Sequence, residues 1–246
     1  MYDISLILPT RGRPQHIERV LGSLMESAAD PSRLEIVLYV DLDDEPSHGI
    51  EFAGANIVKL IRPRTKMGRI TRQCYEASHG RYIMLANDDM VFQTREWDRI
   101  VVDAFTQCGD GIALVWGNDL HSGMPVHPFL SRAVCDLMEG VCPEDYDREF
   151  IDTHIWDIFR KLKRLGHDRM RYLPDLVLEH IYVHAGKAEP DATFEKPRHA
   201  ADERLYIAWD EERQSMAMRL QRRIEAISCD EIEGREKRSV EELRVA

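Results

Sequence analysis

Apolar residues in this 246-residue chain follow two alternating rhythms, short solid runs and longer stretches spaced at three and four. Ile4–Leu8, Leu34–Val40, Asn56–Ile61 and Tyr82–Ala86 are solid runs of strand length, the kind a sheet buries on both faces. Between them, Ile17, Val20, Leu21 and Leu24 predict a helix after Pro14, and Gly68–Ala77 predicts another that stops at Gly80. Further on, helices are predicted over Trp97–Cys108, Ser131–Met138 (with Ser131 as N-cap) and Asp152–Leu165 (stopped by Gly166). Strands are predicted at Ile112–Trp116, Pro125–Leu130 and Met170–Leu178. Repetition of strand and helix predicts an α/β fold, a mostly parallel sheet with helices on both faces. After an irregular stretch from Lys187 to His199, the last part is helix-prone and charge-dense, with one narrow apolar seam of Met216, Leu220, Ile224 and Ile227.

The strands end in chemistry. Ile4–Leu8 runs into Pro9-Thr10-Arg11-Gly12-Arg13-Pro14, Leu34–Val40 into Asp41-Leu42-Asp43-Asp44, and Tyr82–Ala86 into Asn87-Asp88-Asp89. Ligands of open α/β sheets bind beyond the carboxyl ends of the strands, so these three turns are expected to line one rim. Adjacent carboxylates at the end of a buried strand repel each other and resist desolvation. A divalent cation relieves both penalties, and Mg²⁺ or Mn²⁺ is often held by one or two carboxylates together with substrate phosphates. The plainer alternative is that Asp88 and Asp89 occupy a solvated turn or cap a helix.

Charge and composition narrow the partners. The formal net charge of −11 disfavours non-specific attraction to nucleic acid or anionic membrane. One stretch without acidic residues, carrying Arg62, Arg64, Lys66, Arg69 and Arg72, is the candidate basic groove. The five scattered cysteines form no CxxC pair, which argues against a disulfide framework or a zinc site and for a reducing cytoplasm (that of a host, if phage-encoded). No apolar run is long enough to span a bilayer. Gly-x-Ser-x-Gly, a Walker loop and Gly-x-Gly-x-x-Gly after the first strand are all missing.

Over roughly residues 4–185 the motifs resemble GT-A glycosyltransferases of the family 2 type. Ile4–Pro14 is similar to the first strand and nucleotide-proximal turn, and Asp41-Leu42-Asp43-Asp44 to the acidic turn that meets the nucleobase. Gly68 through Arg72-Gln73 resembles the helix with a basic residue before Asn or Gln, and Ala86-Asn87-Asp88-Asp89 the DxD-type metal and diphosphate motif. Asp152-Thr153-His154-Ile155-Trp156 resembles the helix start carrying the catalytic base, although Ile151 stands where the family has Glu. Tyr172–His180 resembles the later strand whose His ligates the metal.

The resemblance implies a GT-A catalytic domain over residues 1–204 and a helical extension and tail over 205–246. It implies transfer of a sugar from a nucleoside-diphosphate sugar (UDP foremost) to an acceptor hydroxyl, inverting, with Mn²⁺ or Mg²⁺ as cofactor. Asp152 is then the base, with Asp147 and Glu149 next in line, and the competing reading of Asp152 is a helix N-cap. Asp89 and His180 are the implied metal ligands, a satisfied structural histidine being the competing reading of His180. Donor contacts fall to Pro9, Thr10, Arg11, Asp41 or Asp43, Gly68, Arg72, Asn87 and Asp88. The acceptor is a glycan or a hydroxylated DNA base. His184 and Lys187 receive no assigned role. Rivals are a non-catalytic nucleotide-sugar or carbohydrate-binding module and a nucleotidyltransferase. The C-terminal seam is expected to pack on the catalytic domain or to form a homodimer.

Overall fold

A computed structural model describes residues 2–181, 186–187 and 199–245. The strands are β1 (Ile4–Thr10), β2 (Leu34–Asp41), β3 (Ile57–Arg62), β4 (Tyr82–Leu85), β5 (Met90–Phe92), β6 (Leu114–Asn118), β7 (Phe129–Ser131) and β8 (Met170–His180). The helices are α1 (Pro14–Ser27), α2 (Glu45–His48), α3 (Met67–Ala77), α4 (Trp97–Thr106), α5 (Arg132–Leu137), α6 (Ile151–Arg164), α7 (His199–Ala208) and α8 (Asp210–Val245).

All eight strands form one sheet in the order β3-β2-β1-β4-β7-β6-β8-β5. β3, β2, β1 and β4 are parallel, as the sequence predicts. β7 runs antiparallel to both neighbours, and β5 antiparallel to β8, so the far half of the sheet is mixed. Side chains of β1 and β2 alternate between two cores. Ile4, Leu6, Leu8, Ile36 and Leu38 join α1 and α4 on one face. Ile7, Val37 and Tyr39 join α3, α5, α6 and α8 on the other. Because both faces are covered, these strands are almost uniformly apolar.

Pro9 sits within β1 without cost to the ladder, since β4 pairs only as far as Ile7. Ser131 caps α5 as expected, its side chain accepting from Val134 N. Gly166 (φ +95°) follows the C-cap of α6 and closes that helix. Gly80 does something other than stop α3, which ends at Ala77. A Cβ at Gly80 would lie 2.5 Å from Ser5 N, so the glycine is required by close backbone approach.

The C-terminal seam is buried within the chain: Met216, Ala217, Leu220 and Ile224 belong to the second core. α8 is fastened to α6 by charge as well. Arg213, 1% exposed, donates to Asp157 at 2.8 Å and stacks over the Tyr206 ring at 3.9 Å, and Lys161 reaches Asp210 at 2.9 Å. Cys74, Cys108, Cys135 and Cys142 are unpaired thiols. Among the described residues no helix is long and apolar enough to cross a membrane.

Candidate active site

Strand register assembles the rim. β1 pairs with β4 through Ile7 opposite Leu85, so three residues further on Thr10 comes level with Asp88, and its Oγ1 donates to Asp88 Oδ2 at 2.9 Å. On the other side, β1 ends with Thr10 opposite Val40, so Arg11 falls beside Asp41. Arg11 donates to Asp41 at 2.7 Å and to both oxygens of Asp43 at 2.6 and 2.8 Å. Asp41 is buried and Asp43 is 63% exposed. The third aspartate of that turn, Asp44, is also buried and accepts from Gly12 N at 2.7 Å, tying the first two rim turns together.

The paired aspartates divide the work. Asp88 is fully buried in protein contacts, accepting from Thr10 and, at 2.9 Å, from Arg13. Burial raises its pKa above the ordinary value, opposed by the Arg13 charge and reinforced by Asp89. Asp89 is differently placed. Its Oδ1 is buried without a geometrically aligned hydrogen bond, and it stands 3.2 Å from His180 Nε2. The pairing of β5 with β8 brings this about: Met90 stands opposite His180, and Ile181 N donates to the Asp89 carbonyl at 2.7 Å. Burial pushes the Asp89 carboxyl up, but the His180 ring, with His127 and Arg13 behind it, carries it below its usual value.

His127 lies edge-on to His180, ring centroids 5.2 Å apart, and both of its buried ring nitrogens lack hydrogen-bond partners. Burial and the neighbouring His180 lower its pKa to about 4, so it is neutral at physiological pH. His180 is fixed from behind, since its backbone N donates to the Asp119 carbonyl at 3.1 Å. The Asp119 carboxylate in turn gathers the backbone N–H groups of His121, Ser122 and Gly123.

An orphaned carboxylate oxygen beside an imidazole nitrogen is a donor set that suits Mn²⁺ and, through the oxygen, Mg²⁺. Among the described residues no group of three or more His, Cys, Asp or Glu side chains converges tightly enough to hold a metal alone.

Asp152 occupies the second position of α6; Phe150, with φ +65°, is the N-cap residue. Asp152 is therefore not the cap. Its carboxylate accepts from Thr153 N at 2.7 Å within the first turn. Half-buried, it has its pKa raised by desolvation, against these hydrogen bonds and the charge of the His180 ring. Desolvation thus makes Asp152 a stronger base than its place at a helix start suggests.

Two of the expected donor residues lie elsewhere in character. Arg72 is held by Glu76 at 2.7 Å and by the Glu139 carbonyl, and it lines a groove with Trp209, Glu212 and Met216. Gly68 serves packing, because a Cβ there would fall on the Pro143 carbonyl oxygen. Neither residue has a described contact with Asp41, Asp88 or Asp89. The basic stretch is likewise engaged, Lys66 with Asp145 at 3.2 Å and Arg69 with Glu144 at 3.1 Å. Arg13, Asp44, Asp119 and His127 were not singled out from the sequence. Arg13 is legible afterwards as the second arginine of the first rim turn and Asp44 as the last acid of the second, whereas His127 and the hold of the Asp119 carbonyl on His180 depend on contacts distant in sequence. Lys187 pairs with Glu179 at 2.7 Å, and His184 lies outside the described residues.

No known family profile matches the chain, and no curated relative does. Solved structures do. Glucosyl-3-phosphoglycerate synthase from Mycobacterium tuberculosis, in complex with Mn²⁺, UDP-glucose and phosphoglyceric acid, superposes with a TM-score of 0.56 at 16% identity, over 87% of this chain and 80% of that one. Mannosyltransferase PcManGT from Pyrobaculum calidifontis, with GDP-mannose and Mn²⁺, gives 0.52 at 14%, over 89% and 74%. S. aureus TarS gives 0.53 at 13%, over 72% of this chain, which spans 36% of the TarS chain. At these identities the likeness establishes the fold, which is GT-A.

Proposed function

From the GT-A fold, we propose that the protein is a metal-dependent glycosyltransferase that moves a hexosyl or pentosyl group from a nucleoside-diphosphate sugar to an acceptor hydroxyl. The observation that carries the reading is the Asp88–Asp89 pair that follows β4, the first buried and the second partly exposed. One aspartate is saturated by Thr10 and Arg13; the other presents an orphaned oxygen beside His180.

Asp89 and His180 would hold a divalent cation, and such an ion would supply positive charge toward the departing diphosphate. Arg11, alongside the buried Asp41, marks where the nucleobase end of the donor is read. Thr10 and Arg13 hold Asp88 and so keep the floor of the rim rigid. Asp152, its carboxylate made more basic by burial, takes the acceptor hydroxyl proton as that oxygen attacks the anomeric carbon, and a single displacement of this kind inverts the centre. UDP is favoured as the carrier, and the relatives' GDP-mannose and UDP-glucose complexes make these two donors the first to try. Among acceptors, a glycan or other small hydroxyl compound is favoured over a DNA base. The candidate basic groove is largely neutralised by Asp145, Glu144 and Glu76.

Isothermal titration of UDP with Mn²⁺ and with chelator tests the reading. Affinity is expected to require the metal and to fall about 10-fold or more in Asp89→Ala, the scale on which losing a ligand or its support weakens metal sites. Equal affinity with chelator and with Mn²⁺ refutes it. Release of UDP from UDP-glucose under Mn²⁺ separates an enzyme from a binding module.

A further inference from the structure

The segment that delivers Asp152 is gripped from a distant part of the chain. Asp202, on α7 and 2% exposed, accepts from three successive backbone N–H groups, Asp147 at 2.8 Å, Arg148 at 2.9 Å and Glu149 at 2.8 Å. Successive N–H groups converging on one point form a nest that binds an anion, here supplied by the protein itself. One helical turn along α7, the Tyr206 ring stacks on Phe150 with centroids 5.3 Å apart. Phe150 is a non-glycine residue in the left-handed region, a conformation that persists only where surrounding structure enforces it. From the other side, Met67 N and Gly68 N at the start of α3 donate to the carbonyls of Asp147 and Tyr146 at 3.0 and 2.9 Å. Residues 146–150 are thus clamped between α3 and α7, and the next residues are Ile151 and Asp152.

We propose that Asp202 is the positioning residue for Asp152: its carboxylate fixes the 147–149 turn, with Tyr206 seconding it on Phe150, and so sets where the base stands over the rim. This rests on the reading of Asp152 as the base. Asp202 touches no reacting atom; its effect passes through the turn. Misplacement of a reacting group by about 1 Å can cost about 10²-fold in rate, so a loosened turn is felt in chemistry before it is felt in donor affinity.

The test uses full-length protein, UDP-glucose and Mn²⁺, with water as acceptor and released UDP as the readout. Asp202→Asn is expected to lower kcat about 10- to 100-fold while the UDP-glucose KM stays within about twofold. In an Asp152→Asn background it is expected to add almost nothing, because two residues acting through one step are non-additive. Amide exchange at residues 147–149 is expected to accelerate in Asp202→Asn while the core strands stay protected. Where Asp202→Asn folds poorly, Tyr206→Leu gives the same two readouts.

A wild-type kcat in Asp202→Asn, unchanged exchange at 147–149, or losses that multiply in the double variant each overturn the positioning role. A wild-type rate in Asp152→Asn, or no turnover of UDP-glucose or GDP-mannose by the wild type, overturns the functional reading and the positioning role with it. Exchange at 147–149 then still reports whether Asp202 holds the turn.

Discussion

At the scale of single residues, the site is decided by which polar atoms find partners. Asp88 has its oxygens engaged by Thr10 and Arg13, so it serves as a buried structural link between the first rim turn and the end of β4. Arg13→Met strips one partner from it, and breaking such a pair leaves an uncompensated buried charge, with an expected destabilisation of about 3–5 kcal/mol. Thermal or urea unfolding checks this, and a loss under about 1 kcal/mol contradicts it. Asp152 calls for a pH profile. Its raised pKa means that protonation on acidification begins above the usual carboxylate range, so the acid limb of UDP release should lie higher than for an ordinary aspartate. Asp152→Asn should remove that limb and about 10²–10⁴-fold of the rate while leaving UDP affinity intact. The aspartates at the strand ends were legible in the sequence because a solid apolar run that stops in acid is a local signal. The different fates of Asp88 and Asp89 were not, since they depend on Arg13 and His180, one turn and one strand away in space.

Elements tell a parallel story. Strand runs and helix periodicities located β1, β2, β4 and most of the helices with small shifts at their ends, because those strands are buried on both faces and each run had to be apolar; the short β5 and α2 went unpredicted, and the strand expected over Pro125–Leu130 is only Phe129–Ser131. The reversed direction of β7 left no local mark; direction is set by how the chain returns, and Phe129–Ser131 reads the same either way. The function of α7 was equally hidden, since Asp202 looks like any first-turn acid until its three backbone partners are seen. For α8 the apolar seam was plain and its occupant open, and the seam is taken by α5 and α6 of the same chain. Arg213 anchors that contact. Arg213→Ala should destabilise the fold by about 3–5 kcal/mol by leaving the buried Asp157 with only Lys161 at 3.7 Å, and adding Asp157→Leu should recover a large part of it. Melting temperatures of the single and double variants settle the point, and no recovery would mean that packing around Tyr206 dominates.

For the molecule as a whole, acid is the natural stress. His154, buried against Tyr146, Trp209 and the second core, has its pKa lowered to about 3 by burial and by the Arg213 charge. Unfolding returns it to an ordinary value near 6.5, so between about pH 6.5 and 3 the unfolded chain binds the extra proton. Stability from this group is complete above pH 6.5 and is lost as pH falls, with a slope of up to about 1.4 kcal/mol per pH unit. His154→Gln should flatten the decline in melting temperature between pH 7 and 5, and an unchanged decline assigns it to other groups. Because α8 completes the core behind the sheet, the rim and the C-terminal helix form one thermodynamic body. Any ligand that prefers the folded state protects all of it by mass action. A protease therefore becomes a distant witness: trypsin cutting at Arg219, Arg222 and Arg223 should slow when UDP and Mn²⁺ are added, although those arginines stand on α8 and not on the rim.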